Sequence, residues 1–323
     1  MSAEDGAGQV PDFFIVGHAK SGTTALYEML KGHPQIFMPE LKEPWFFASD
    51  MKPRFQPIRS GKPPQTLEEY KRLFAGAAPG QRAGEASSSY LWSQTAAAAI
   101  AAVKPDARII AILREPASFL RSLHLQLLQS HVEVEKDFKR AIGLEAARRE
   151  GREIPRTSHR PQLLQYSDHV RYADQLKRYH DQFPREQVLV LIYDDFRADN
   201  EAAVREVQRF IDVDAEGPIE VLDVNPSIMM RSQRLDDLVY AVSVGKGGPV
   251  TRAARATIKA ALPRRARRGA LGLTRTRIVH GPPPEADEEF MRQLRVRFKP
   301  EVVAISDYLG RDLVGLWGYD DVA

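Results

Sequence analysis

Cysteine is absent from this chain, which excludes a disulfide framework, a thiolate metal site and a cysteine nucleophile. No run of 18 apolar residues occurs, and the opening Met1-Ser2-Ala3-Glu4-Asp5-Gly6 has no basic stretch followed by an apolar core. A membrane-spanning helix and a secretory leader are therefore not expected, and a cytoplasmic protein is. The triplet G-K-[ST] that places lysine on the β- and γ-phosphates of a nucleoside triphosphate is also missing, which argues against the common ATP loop. Acidic residues vanish between Asp237 and Glu285, where Lys246, Arg252, Arg255, Lys259, Arg264, Arg265, Arg267, Arg268, Arg275 and Arg277 fall. The formal charge of +3 is thus concentrated in one segment, 246–277. Such a run is ordinarily a solvated face; its functional readings are contact with an anionic nucleotide or substrate, or a peripheral contact with an anionic membrane. Nucleic acid is not expected as a partner.

What is present is enough apolar material for a large core: 43% of 323 residues are hydrophobic. A flexible N-terminus over 1–11 and a single domain over 12–323 are expected, with surface insertions near 52–65, rich in proline, and 143–160, rich in arginine. Short apolar runs predict strands at Asp12 to Gly17, Arg82 to Ser87, Ala107 to Leu113 and Gln187 to Tyr193. Helical periodicity falls between them, at Ser21 to Lys31, Ser93 to Val103, Pro116 to His131, Glu135 to Glu150, Tyr166 to Gln182 and Glu201 to Ile211, with a last helix from Glu285 to Leu309. Alternation of this kind predicts an α/β domain of the P-loop type, with a mainly parallel sheet of about five strands flanked by helices. Ligands of such sheets bind beyond the carboxyl ends of the strands.

The segment Gly17-His18-Ala19-Lys20-Ser21-Gly22-Thr23-Thr24 follows the apolar run Phe13 to Val16 and opens a helix. A strand, a glycine-hinged loop and a helix N-terminus aim backbone N–H groups and the positive end of a helix dipole at one point, with Lys20 beside it. That is an anion cradle. Gly17 and Gly22 keep the glycine spacing of the ATP loop, but Thr23 occupies its lysine position and the lysine stands inside the turn. A cation there suits the 5′-terminal group of a ligand shorter than a triphosphate.

The third strand runs into Arg114-Glu115-Pro116, and proline fits the first turn of a helix. Arg114 then lies at the carboxyl edge of the sheet, and Ser122 falls roughly 9 Å of helix beyond Pro116 at 1.5 Å per residue. A guanidinium fork with a hydroxyl suits a second phosphate. Arg114 could instead pair with Glu115 or Glu85, and Ser118 or Arg121 could stand in for Ser122. No aspartate ends this strand to hold magnesium.

Four stretches in order carry a resemblance: Lys20-Ser21-Gly22-Thr23-Thr24, Lys42-Glu43-Pro44-Trp45-Phe46-Phe47, Gly84-Glu85-Ala86-Ser87-Ser88-Ser89-Tyr90, and Arg114-Glu115-Pro116 with Ser122. Together they resemble the sulfotransferases that use 3′-phosphoadenosine 5′-phosphosulfate (PAPS), in the branch that acts on heparan sulfate and other glycans. The resemblance implies PAPS as sulfuryl donor without a metal, and an acceptor hydroxyl on a carbohydrate, glycolipid or secondary metabolite. It implies that Lys20, Ser21, Gly22, Thr23 and Thr24 grip the 5′-phosphosulfate, that Lys20 is also catalytic, that Arg114 and Ser122 hold the 3′-phosphate, and that Glu43 deprotonates the acceptor. Two departures stand out: Trp45 replaces the branch's usual histidine, and Ala86 a frequent lysine.

The residues alone leave other readings open. His18 in the cradle or His124 on the Arg114 helix could be the base, His33 reads as a helix-end cation, and Glu85 and Ser89 could orient ligands or satisfy backbone groups. Trp45, Phe46 and Phe47 read more readily as core than as a substrate platform. An ATP-dependent small-molecule kinase and a non-catalytic, nucleotide-dependent membrane-surface module are the rival functions. Acceptor identity and oligomeric state are not legible.

Overall fold

The computed structural model describes residues 8–51, 53, 63–217, 219, 229–230, 280–281 and 285–322. The basic segment 246–277, residues 1–7 of the N-terminus and most of the 52–65 insertion lie outside the described residues.

Five parallel strands form the central sheet: β1 (Phe13–Gly17), β2 (Ile36–Phe37), β3 (Arg82–Ala86), β4 (Arg108–Leu113) and β5 (Val188–Ile192), in the spatial order β2-β3-β1-β4-β5. The middle strand β1 pairs Phe13 with Gly84 on one side and with Arg108 on the other. Successive residues of a strand point to opposite faces. Accordingly Phe14, Val16, Ile109, Ala111 and Leu113 enter one apolar core, and Phe13, Ile15, Ile110, Ile112 and Leu191 the other. Helices α3 (Ala96–Val103), α4 (Pro116–Gln129), α7 (Tyr172–His180) and α10 (Glu288–Leu309) supply residues to the first core, and α1 (Thr23–Lys31) and α9 (Asn200–Phe210) to the second. The result is three layers. Burying side chains of this size contributes about 1.5–3 kcal/mol each. Gly84 permits the closeness of β3 to β1, because a Cβ there would lie 2.1 Å from the Phe13 ring.

All four predicted strands form, shifted by a residue at most ends, and the fifth, β2, is only two residues long, too short to leave a periodic signature. Two predicted helices are broken. The span from Glu135 to Glu150 divides at Leu144 into α5 (Phe138–Gly143) and α6 (Glu145–Arg149). Asp137 caps the first by accepting from the Arg140 N–H, so the helix starts three residues late. The span from Tyr166 to Gln182 begins as a 3₁₀ turn over Tyr166–Val170, and α7 starts only after Arg171 turns to φ −78°, ψ 61°. Three short helices were not predicted, α2 (Leu67–Lys71), α8 (Tyr193–Ala198) and α11 (Leu313–Leu316). Met229–Met230 and His280–Gly281 form a separate antiparallel pair, β6 and β7.

The chain reverses at β1: β2 and β3 lie to one side of it and β4 and β5 to the other. The loop leaving β1 therefore stands at the switch point of the sheet, where the neighbouring loops diverge and leave a crevice. The last helices close over the same edge. Tyr319 donates its hydroxyl hydrogen to Glu115 at the start of α4, and the Trp317 indole N–H donates to Asp194 of α8 at 2.9 Å.

Candidate active site

The loop after β1 is shaped by its backbone. Lys20 sits at φ 63° and Gly22 at φ 90°, and Gly22 is the N-cap of α1 without a side-chain hydrogen bond. A side chain at residue 22 would be strained at that φ and would also lie 2.8 Å from the Phe196 ring, so glycine is required. The N–H groups of the first turn of α1 are thus left for a ligand. Ser21 is fully buried and its Oγ has no hydrogen-bond partner among the described residues. An orphaned buried hydroxyl at the mouth of a helix N-terminus fits an anion that would accept from it.

Cations gather at the same place. Arg114, at the carboxyl end of β4, donates from Nη1 to the Lys20 carbonyl at 2.8 Å and stacks its guanidinium 4.7 Å from the centre of the Tyr193 ring. Burial, together with the nearby Arg114 charge, holds the Lys20 ammonium below the usual lysine pKa. Two positive groups pressed together in a partly dry crevice are stabilised by an anion between them. Arg114 forms no ion pair with Glu115, whose carboxylate instead caps α4 by accepting from Ala117 N–H at 3.0 Å and Ser118 N–H at 2.6 Å. Ser122 is buried two turns along α4. The structure thus brings Arg114 onto the loop itself, while Ser122 stands farther along the helix wall.

Glu43 reaches the cradle through a ladder of hydrogen bonds from the end of β3. Glu43 N–H donates to the Ala86 carbonyl at 3.0 Å, Trp45 N–H to Ser87 Oγ at 3.2 Å and Phe47 N–H to Tyr90 Oη at 3.2 Å. Alternate residues of the 43–47 loop are held as a strand would be, although Glu43 and Trp45 adopt φ of 59° and 53°. Ser88 Oγ donates to Glu43 Oε1 at 2.8 Å, and Lys42 Nζ lies 3.9 Å from the same oxygen. Lys42 also donates to Thr24 Oγ1 at 2.6 Å, which ties this loop to the first turn of α1. The loop that carries Glu43 is therefore tied to Thr24 at the start of α1.

Beneath the ladder lies Glu85, fully buried, accepting at Oε2 from the hydroxyls of Tyr70 at 2.7 Å and Tyr90 at 3.1 Å. Burial pushes its carboxyl up to about 7, against hydrogen bonds from Ser87, Tyr70 and Tyr90 that pull it down. Its Oε2 holds the Tyr90 end of the ladder, while its Oε1 has no hydrogen-bond partner among the described residues. Among the alternative bases, His18 is buried and its Nε2 stands 2.7 Å from Gln175 Oε1. The Gln175 amide donates to the carbonyls of Asp168 and His169, so its oxygen must accept and His18 Nε2 carries the hydrogen. Burial drives the His18 imidazole down to about 3. His124 is tied to Tyr166 Oη at 2.9 Å and the Lys136 carbonyl at 3.3 Å, inside a structural network. His33 bonds the Asp214 carbonyl and the Gln35 N–H, a structural role.

A cavity of about 130 Å³ opens between Glu43 and the phosphate loop, walled by His18, Ala19, Trp45, Ser88, Ser89, Trp92, Phe119, Leu123, Gln126, Leu127, Ser130, Val132, His159, Leu163 and His169. Trp45 is thus a wall residue rather than core, and Arg160 stacks 3.2 Å from the centre of its ring. Phe47 does belong to the core. The part of the 143–160 insertion that reaches the cavity is its end, at His159. Sequence reasoning missed Lys42 as a tether, Tyr193 as the platform for Arg114 and the 159–169 wall; only Lys42, beside Glu43, carried a local signal.

Comparison with known proteins agrees with this geometry. The sulfotransferase domain model matches residues 10–234. The chain is 29% identical to human carbohydrate sulfotransferase 15 over 38% of its own length and 28% of that protein's. It is 28% identical to human heparan sulfate glucosamine 3-O-sulfotransferase 3A1 over 41% and 29% respectively. The chain thus spans under a third of the length of these relatives. A sulfotransferase from Alicyclobacillus acidocaldarius superposes with a TM-score of 0.65 at 25% identity, covering 96% of this chain and 99% of that one. With the β1–α1 loop at the sheet's switch point and the family model spanning that loop, the ladder and the Arg114 helix, the chain belongs to the sulfotransferase domain family.

Proposed function

We propose that the protein transfers a sulfuryl group from PAPS to an acceptor hydroxyl. The observation that carries this reading is the Arg114 guanidinium held on the Lys20 carbonyl, near enough for its charge to act on the Lys20 ammonium, in the loop that opens α1 and holds the orphaned Ser21 hydroxyl. Lys20, Ser21, Gly22, Thr23 and Thr24 would hold the 5′-phosphosulfate, and Arg114 with Ser122 the 3′-phosphate. Bound there, the donor supplies a sulfuryl group whose S–O bond to the 5′-phosphate breaks as one to the acceptor oxygen forms, the electron pair staying on the phosphate.

The chain's own groups perform the rest. Lys20 places a fixed positive charge where negative charge grows on the bridging oxygen, and it does so in a crevice that lowers screening. The α1 amides and Ser21 add donors already in position. Glu43 accepts the acceptor's proton; Ser88 and Lys42 fix the orientation of its carboxylate. The names of the relatives support a carbohydrate or small-molecule acceptor.

Calorimetric titration with adenosine 3′,5′-bisphosphate, paired with transfer of labelled sulfate to a panel of hydroxyl compounds, tests the reading. Lys20→Ala is expected to weaken bisphosphate binding and lower turnover by at least about a hundredfold. Near-normal turnover in that variant, or magnesium-dependent ATP hydrolysis without bisphosphate binding, defeats it.

A further inference from the structure

The cavity beside Glu43 has a chemical character that the sulfuryl-transfer reading does not by itself predict. Its walls are mostly apolar: Trp45, Trp92, Phe119 and Leu123 face it, and Glu43 at the cradle end is its acidic side chain. Among the described residues no lysine or arginine lines it. Three histidines do, but burial holds them neutral, His18 at about 3 and His159 and His169 at about 4. They offer no positive charge at neutral pH. Of the cations close by, Arg160 is engaged by the Trp45 ring and the Met51 carbonyl, and Lys42 by Glu43 and Thr24.

A uronate or sulfated saccharide brought to such walls would bury anionic groups with no lining cation to pair them, beside a carboxylate of the same sign. A neutral sugar would meet Ser88, Ser89, Gln126 and Ser130 on part of the wall, but would still press hydroxyls against the indole, Phe119 and leucine surface that makes up the larger share, each losing a hydrogen bond to water. An aromatic or aliphatic body loses nothing there and gains by leaving water. Size agrees: about 130 Å³ is close to the ~150 Å³ apolar pocket that takes one benzene ring.

Resting on the sulfuryl-transfer reading, we propose that this cavity receives an uncharged acceptor whose hydroxyl is carried on an apolar body of about one ring, a phenol or an alicyclic alcohol, with the hydroxyl directed to Glu43 and the ring between Trp45, Trp92 and Phe119. The acceptor O–H bond breaks as its oxygen bonds to sulfur, the proton passes to Glu43, and the bisphosphate leaves with the electron pair.

The test uses the full chain and three probes, 4-methylphenol, cyclohexylmethanol and an N-acetylheparosan oligosaccharide, each offered with labelled PAPS. Label is expected on one or both alcohols, with at least tenfold lower kcat/KM on the saccharide, and each accepted alcohol is expected to change tryptophan fluorescence saturably, an effect reduced in Trp45→Phe. Leu123→Phe, which narrows the cavity, is expected to raise the KM of the accepted alcohol at least fivefold, and Leu123→Ala to admit 2-naphthol, both with bisphosphate affinity within twofold of the parent. Label on the saccharide alone, or on no probe while bisphosphate still binds, overturns the acceptor class and leaves the donor reading standing. Loss of bisphosphate binding by the parent protein overturns both.

Discussion

Glu43 and Glu85 are two carboxylates in one neighbourhood with opposite surroundings. Glu43 is partly open to water and sits beside Lys42, so it can take a proton from a substrate; Glu85 is sealed under Tyr70 and Tyr90. Glu43→Gln keeps the side-chain shape and removes the basic oxygen. It is expected to lower kcat by about 10²–10⁴ while bisphosphate affinity measured by calorimetry stays within twofold. Glu85 is tested by a pair of variants. Glu85→Gln still accepts from both tyrosine hydroxyls and is expected to retain most activity, whereas Glu85→Ala orphans them, at about 1–3 kcal/mol for each buried group. Urea midpoints and kcat for the two variants separate the roles: a positioning residue loses kcat in the alanine variant and recovers it in the glutamine variant. Of these residues, Lys20, Glu43 and Arg114 were legible because each stands in a short motif with a chemical reason. Tyr193 and Lys42 were not, since an aromatic under a guanidinium and a lysine on a threonine hydroxyl are set by folding alone.

At the scale of elements, the site depends on three joints: the β1–α1 loop, the ladder from β3 to the 43–47 loop, and the junction of β4 with α4. The first depends on Gly22. Gly22→Ala is expected to destabilise the protein by about 1–3 kcal/mol through its left-handed φ, with more from contact with Phe196, and to weaken bisphosphate binding; differential unfolding with and without the bisphosphate measures both. The strand, loop and helix of this joint were readable because apolar run, glycine and helix period follow one another within twenty residues. The ladder was not readable, because Ala86, Ser87 and Tyr90 meet Glu43, Trp45 and Phe47 across more than forty residues of chain. The same limit explains the two broken helices. Periodicity reports which residues face the core, but an Asp137 cap and the turn at Arg171 decide where winding starts.

For the molecule as a whole, the buried ionisable groups set a pH window for stability. His18 and His169 are fully buried with folded values of about 3 and 4 against 6.5 when exposed. Below pH 6.5 the unfolded chain binds protons that these histidines refuse, so stability falls as pH falls. Glu85 acts oppositely: its folded value of about 7 lies above its ordinary 4.5, so the native state holds an extra proton between those limits and loses that advantage as pH rises toward 7. From pH 4.5 to 6.5 His18 and His169, joined by the partly buried His159 at about 4, outweigh one glutamate, so stability rises with pH. Stability is therefore expected to rise up to about pH 7 and to level off there. Urea unfolding from pH 4.5 to 8 checks this, and in Glu85→Gln the rise between pH 5 and 6.5 should steepen by about 1 kcal/mol per pH unit.

The α/β alternation, the strand–loop–helix around Lys20 and the sulfotransferase motifs could be read from the chain alone, because apolar period, glycine placement and a lysine between two glycines are local properties of it. That Arg114 folds onto the Lys20 carbonyl, that Glu85 accepts from the Tyr70 and Tyr90 hydroxyls, and that Trp45 walls a cavity beside Glu43 came from packing in three dimensions. Each of those depends on which distant residue arrives next to it, and on the burial that follows, which no stretch of sequence contains.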